Sequence, residues 1–201
     1  MTSQIPDADL AIYALHGGFW AAMMIGRWAG RKRKRSENIG IIAKEKKTAK
    51  NSRMLVGVHF LAFGFMYSGI DAAVFRGQTP TLFTGQRLVG GIIIGVGAAL
   101  AASAMFYFQS WRFRAEISSG HQLATDGPFS VLRHPIYVGL NLLALGSAVW
   151  IPTPLVGIGF GIMAVGSELR GRAEEKLLLD SFGKDYADYK ARSWRCVPGI
   201  Y

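Results

Sequence analysis

The sequence predicts an all-α, polytopic membrane fold of about five transmembrane helices, and three observations carry that expectation. Half of the 201 residues are hydrophobic and only 18% are charged, where ordinary globular chains carry roughly 25% charged residues. Glycine supplies 25 residues, and many lie in long apolar runs, where small side chains let helix backbones approach. Charge collects between those runs, with 11 of the 23 Lys and Arg residues inside 27–53. The length fits one integral membrane domain, 1–201.

Four uncharged or nearly uncharged segments define the helices. Residues 10–26 carry no formal charge, 54–75 carry only Asp71, and 88–108 carry none. These are the three N-terminal spans, within 10–108. Residues 136–167 are 32 long and uncharged, too long for one crossing when about 20 residues cover the hydrocarbon. Pro152-Thr153-Pro154 breaks that stretch in the middle. Proline removes a backbone donor and disfavours helix just before it, so the segment reads as a tight helical hairpin. Residues 10–26 are not a secretory signal, because Asp7 and Asp9 precede them where a basic region belongs. Gly91 and Gly95 have GxxxG spacing in the third helix, which close helix packing explains.

The charge distribution orients the chain. With the N-terminus outside, 27–53, 109–135 and 168–201 face inward and hold 21 of the 23 basic residues, leaving Arg76 and Arg87 outside. That asymmetry is the positive-inside pattern, and it puts the C-terminus in the cytoplasm. It suits a bacterial inner membrane or a eukaryotic endoplasmic reticulum. The net charge of +10 therefore reads as topology, with the 27–53 loop resting on anionic headgroups. No aromatic residue lies between Arg31 and Arg53, so base stacking has no platform there and nucleic acid is not an expected partner. One cysteine, Cys196, excludes an intrachain disulfide, and four scattered histidines give no metal-ligand spacing. Within the spans, His16, His59 and Asp71 are candidates by their depth, set against packing or interface roles for each.

The chemistry-bearing region is 121–201. Gly127-Pro128 leads to Arg133-His134-Pro135-Ile136-Tyr137-Val138-Gly139, which opens a membrane helix with proline in its first turn. Arg133 and His134 thus stand at exposed backbone donors, a setting that suits an anionic group; headgroup anchoring and helix capping are the plainer alternatives. After the hairpin come Glu168, Arg170, Arg172, Glu174 and Glu175. Arg170 and Glu174 are spaced i,i+4 and share a helix face. A short hairpin returns its two ends to one membrane face, so the two charged clusters are expected to meet. Phe182, Tyr186 and Tyr189 follow at helical spacing, with packing favoured over contact with a ligand ring.

The order Gly127-Pro128, His134-Pro135-x-Tyr137-x-Gly139, Glu174-Glu175-x-x-Leu178, Phe182-Gly183-x-x-Tyr186-x-x-Tyr189 and Val197-Pro198 resembles the isoprenylcysteine carboxyl methyltransferase family. Phospholipid N-methyltransferases are its broader relatives. The resemblance implies methyl transfer from S-adenosylmethionine (SAM) to a lipophilic or lipidated acceptor at the cytoplasmic membrane face. It implies that Arg133, His134, Pro135, Tyr137 and Gly139 hold the methionine end of the cofactor and that Glu174 and Glu175 bond its hydroxyl or amino groups. Arg170 would act beside the reacting carboxylate with Glu174, and Arg172 is a weaker candidate. No metal is implied. Oligomeric state is not readable.

Two other classes compete. Membrane sterol and steroid reductases that use NADPH have a related His-Pro-Asn-Tyr-x-Gly-Asp pattern and a tail like Pro198-Gly199-Ile200-Tyr201. Here Ile136 and Leu140 stand where that pattern has Asn and Asp. A non-enzymatic membrane scaffold is the third reading, against which the intact His134, Tyr137, Glu174 and Glu175 argue.

Overall fold

A computed structural model describes residues 7–33, 47–49, 51–108, 116–117 and 123–201. Five long helices and one short one make up almost all of it: α1 (Asp7–Arg33), α2 (Ser52–Phe75), α3 (Gln86–Tyr107), α4 (Pro135–Trp150), α5 (Pro154–Phe182) and α6 (Lys184–Ala191). A 3-10 turn covers Gly127–Ser130, and two-residue strands β1 (Lys47–Thr48) and β2 (Glu116–Ile117) pair antiparallel, Lys47 opposite Ile117. Most of the basic window, 34–46 and 50, lies outside the described residues, as do Arg112, Arg114 and His121.

The hairpin expected from Pro152-Thr153-Pro154 is present. α4 ends at Trp150 and α5 begins on Pro154 at its first position. α5 then runs past the apolar stretch and carries the charged stripe on the same 29-residue helix. It stops at Gly183, whose φ of 54° and ψ of −121° would strain any residue with a Cβ. By length and composition α2 and α3 suffice to cross a membrane, whereas α4 has 16 residues.

The helices form two groups. α1 and α4 pack on α3, α2 packs on α5, and α4 joins the groups by its contact with α5. Small residues set these distances, though not the pair that spacing alone suggests. The face of α3 against α4 is Gly90, Ile94, Gly97, Ala101 and Ala104, all buried. A Cβ at Gly97 would lie 2.9 Å from the Gly139 carbonyl oxygen, and one at Gly90 2.7 Å from that of Gly146. Gly91 faces the Trp150 ring and Gly95 has nothing within 4 Å. GxxxG spacing finds two glycines on one side of a helix but does not say which side meets a neighbour. On α5, Gly159 fits against Ala62 and Met66 of α2 in the same way.

This packing makes a sharp prediction. Gly139→Leu drives its side chain into Ala101 and the Gly97 carbonyl, 2.8 and 2.9 Å from the first added carbon. It should lower stability by about 1–3 kcal/mol and visibly depress the melting temperature in detergent. Gly95→Leu, pointing into open space, should leave that temperature nearly unchanged.

The polar residues within the apolar helices are largely engaged in contacts between helices. His16 is buried and ties α1 to α2 and α4 through Tyr67 Oη (3.0 Å) and Ser147 Oγ (2.9 Å). Asp71 accepts from Tyr13 Oη, joining α2 to α1. Large apolar side chains remain exposed on the outer surface, among them Met24, Ile25, Phe60, Leu61, Leu88 and Ile92. An apolar patch of that extent on a helical bundle is the mark of a surface that meets lipid or a partner.

Candidate functional site

The site lies where the end of α5 returns to the start of α4. Pro135 occupies the first turn of α4 and is buried; its missing N–H is one of the donors a helix start leaves unused. His134 sits at the N-cap, yet its side chain makes no capping bond. Instead the imidazole stacks on Tyr137, centroids 5.5 Å apart with planes at 16°. Its Nδ1 is 3.8 Å from Glu174 Oε2, and its Nε2, 3.4 Å from Glu175 Oε1, makes no hydrogen bond. The ring fits because α5 has Gly171 opposite, where a Cβ would stand 3.3 Å from it.

Two carboxylates adjacent in sequence have separate environments. Glu174 accepts hydrogen bonds from Tyr137 Oη at 2.5 Å and from Arg170 Nε at 3.2 Å, and its side chain stays 24% exposed. The Arg170 guanidinium also lies 5.4 Å over the Tyr137 ring, a cation–π distance. Glu175 is 4% exposed and surrounded by cations: Arg133 Nε at 2.9 Å, Arg195 Nε at 2.8 Å with its Nη2 at 2.9 Å, and Lys190 Nζ at 3.3 Å. Burial opposes ionisation of Glu175, but His134, Arg195 and Arg133 outweigh it and hold the carboxyl well below the ordinary carboxylate range. The bidentate fork from Arg195 is the strongest geometry available to such a pair.

The chain after α6 completes this cluster. Trp194 and Arg195 run beside 131–134, with Arg133 N–H bonding the Trp194 carbonyl at 2.7 Å and His134 N–H the Arg195 carbonyl at 3.2 Å. Arg133 Nη1 donates to the Ser193 and Lys190 carbonyls. Arg195 Nη1 reaches Glu168 Oε1 at 2.9 Å, and Tyr201 Oη donates to the same oxygen at 2.7 Å. Burial raises the Glu168 carboxyl, while bonds from Arg172, Tyr201 and Arg195 leave it below its ordinary value. Phe182, Tyr186 and Tyr189 pack together with Ile117 and Leu177 beneath this layer, and Tyr189 Oη donates to the Phe129 carbonyl at 2.8 Å.

The structure thus brings Arg133, His134, Pro135, Tyr137, Arg170, Glu174 and Glu175 to one place. Gly139 is different: its backbone meets Gly97 and Ala101 on α3 and serves the helix contact. Arg172 is 66% exposed and pairs with Glu168, away from Tyr137 and Glu174. Arg195, Ser193 and Tyr201 are not among the site residues expected from the sequence, where Tyr201 stands only as part of the tail. No spacing marks them, since a backbone pairing between 131–134 and 194–195 delivers them to the cluster.

Residues 86–185 match the family model described as phospholipid methyltransferase. Relatives named protein-S-isoprenylcysteine O-methyltransferase include that of Dictyostelium discoideum, 37% identical over 82 residues, covering 40% of this chain and 35% of the relative. Those of Mus musculus and Homo sapiens are 33% and 32% identical, covering 55% and 58% of this chain and 41% and 43% of theirs. The matches span about two fifths of the relatives' own length. Over this segment, which holds α3, α4 and α5, the chain is related to the phospholipid methyltransferase family and to the protein-S-isoprenylcysteine O-methyltransferases.

Proposed function

We propose that this chain is a membrane methyltransferase that transfers the methyl group of SAM to a lipophilic acceptor, a carboxylate on an isoprenylcysteine-like or related lipid molecule. The observation that carries the reading is the direct contact of two separated motifs. Tyr137 of the His-Pro-x-Tyr segment bonds Glu174 of the Glu pair, beside Arg170. Relatives bearing the O-methyltransferase name over α3–α5 support it and weigh against the NADPH reductase and the scaffold.

The donor set fits the cofactor. Glu174, partly exposed between Tyr137 and Arg170, suits hydroxyl or ammonium donors, and the buried His134 ring lies beside it, Nδ1 3.8 Å from its Oε2. The α4 N-terminus suits a carboxylate, and Arg133, held by Glu175 and the Ser193 and Lys190 carbonyls, borders it. When bound, SAM supplies a methyl group already activated by its sulfonium, so the protein's task is proximity and orientation. Glu174, His134 and Tyr137 hold the cofactor, and Arg170 orients the acceptor carboxylate. A carboxylate needs no general base, and Glu174 already accepts two donors. Glu175 anchors Arg133 and the 193–201 segment.

All five long helices cross the membrane in this reading, with the N-terminus outside and the site at the cytoplasmic face. The exposed apolar side chains of α1–α3 then meet lipid, and the acceptor enters from the bilayer while SAM arrives from water. The 27–53 loop lies at anionic headgroups. Thermal unfolding of detergent-purified protein tests the cofactor. A ligand at ~100 times its dissociation constant adds about 2.7 kcal/mol. Stabilisation by S-adenosylhomocysteine and not by NADPH is expected. Stabilisation by NADPH alone overturns the reading.

A further inference from the structure

His59 lies on α2, outside the segment matched by the family model, yet it packs against the site. It is 6% exposed. Its Nδ1 is 3.0 Å from the Leu55 carbonyl oxygen. A carbonyl only accepts, so Nδ1 carries the proton and Nε2 carries the lone pair. Nε2 is 3.4 Å from Ser167 Oγ of α5, which donates to it. The two helices approach closely at this point because α5 has Gly166, where a Cβ would lie 2.8 Å from Val58 Cγ1.

The imidazole is thereby fixed from both helices, and its ring packs at a tilt against Tyr137, 5.9 Å between centroids with the planes at 40°. Tyr137 is held by four groups: His134 stacked on it, the Arg170 guanidinium over it, Glu174 on its hydroxyl, and His59. The first three belong to α5 and the start of α4. His59 is the ring that α2 contributes. Ser167 stands one turn before Arg170 on α5, so the His59–Ser167 pair lies on the bundle side of the Tyr137–Glu174 bond.

We propose that His59 is a positioning residue of the cofactor site, holding the Tyr137 ring so that its hydroxyl stays on Glu174. The proposal rests on the methyltransferase reading above. It makes α2 a part of the site through one buried ring contact, and it means that the ring of His59 matters more than its hydrogen bonds.

Calorimetric binding of S-adenosylhomocysteine to the detergent-purified full chain tests it. His59→Ala should bind about ten-fold more weakly than wild type, the scale expected when contacting residues are uncoupled. His59→Phe, which keeps a ring against Tyr137, should stay within about three-fold. The double variant His59→Ala/Tyr137→Ala should bind no more weakly than Tyr137→Ala alone, because His59 acts through that ring. A merely structural role would lower the melting temperature and leave this non-additivity absent. Equal affinity of wild type and His59→Ala, or effects of the two substitutions that multiply, overturns the proposal. Should His59→Ala not fold, His59→Gln, which also lacks the ring, is held to the same ten-fold expectation. A folded wild type that binds no S-adenosylhomocysteine instead overturns the methyltransferase reading itself.

Discussion

Glu175→Ala is expected to be the most destabilising single substitution around the candidate site. Its carboxylate is 4% exposed and meets Arg133, Arg195 and Lys190 at 2.8 to 3.3 Å. Removing one partner of a buried pair leaves uncompensated charge and costs about 3–5 kcal/mol. Arg195 keeps Glu168 at 2.9 Å, so the lower end is expected, near 3 kcal/mol. At this chain length that is a fall of roughly 6–12 °C in melting temperature.

The same residue fixes a pH dependence. Its folded-state pKa lies below its unfolded value, against the pull of burial, because cations and His134 surround it. A carboxylate depressed in this way contributes stability that is fully present above its unfolded pKa, about 4.3, and is lost as pH falls through the folded value. The melting difference between wild type and Glu175→Gln should therefore be flat from pH 8 to about 5 and shrink below about 4.3. A gap that stays constant to pH 3, or grows, would show that Glu175 is not the anion that pins the tail.

Glu174→Ala should produce the opposite pattern. Its side chain is 24% exposed and accepts from Tyr137 and Arg170 without lying in a closed ion cluster. Arg170 and Tyr137 keep their mutual contact when it goes. A partly exposed pair of this kind contributes about 1 kcal/mol or less, so the melting temperature should fall by only a few degrees. Binding of S-adenosylhomocysteine should weaken at least ten-fold, about 1.4 kcal/mol, because in the proposed function this carboxylate bonds the cofactor. Melting and calorimetry on both variants separate the roles. The expected split is that Glu175 mainly holds the protein together and Glu174 mainly holds ligand.

Much of this layout was legible in the sequence because it rests on local rules. Two prolines one residue apart end one helix and start the next, so the α4–α5 hairpin was visible, and a short hairpin returns its ends to one place. That geometry explains why Arg133 meets Glu175 across 42 residues and Tyr137 meets Glu174 across 37. Arg170 and Glu174 paired as i,i+4 spacing requires. What escaped notice depends on rotation and on long-range pairing. Gly91 and Gly95 have the right spacing, but Gly95 meets nothing while Gly90 and Gly97 fit against the α4 backbone, and only the packed bundle decides which side turns inward. The split between Glu174 and Glu175 is of the same kind, since consecutive residues on a helix point about 100° apart. Arg195 reaches Glu175 because the tail pairs with 131–134, a contact with no periodic signature. His59 and Ser167 meet only because α2 and α5 are neighbours, which nothing in either helix announces.

Methyl transfer itself tests the central claim most directly. Membranes holding the chain would be given SAM labelled in its methyl group together with N-acetyl-S-farnesylcysteine, an isoprenylcysteine carboxylate. The organic extract is then treated with base to release methanol from any methyl ester. The account predicts base-labile label with wild type and loss of it with Glu174→Ala, whose fold is retained. Label no higher with wild type than with Glu174→Ala would contradict the assignment of this site to methyl transfer.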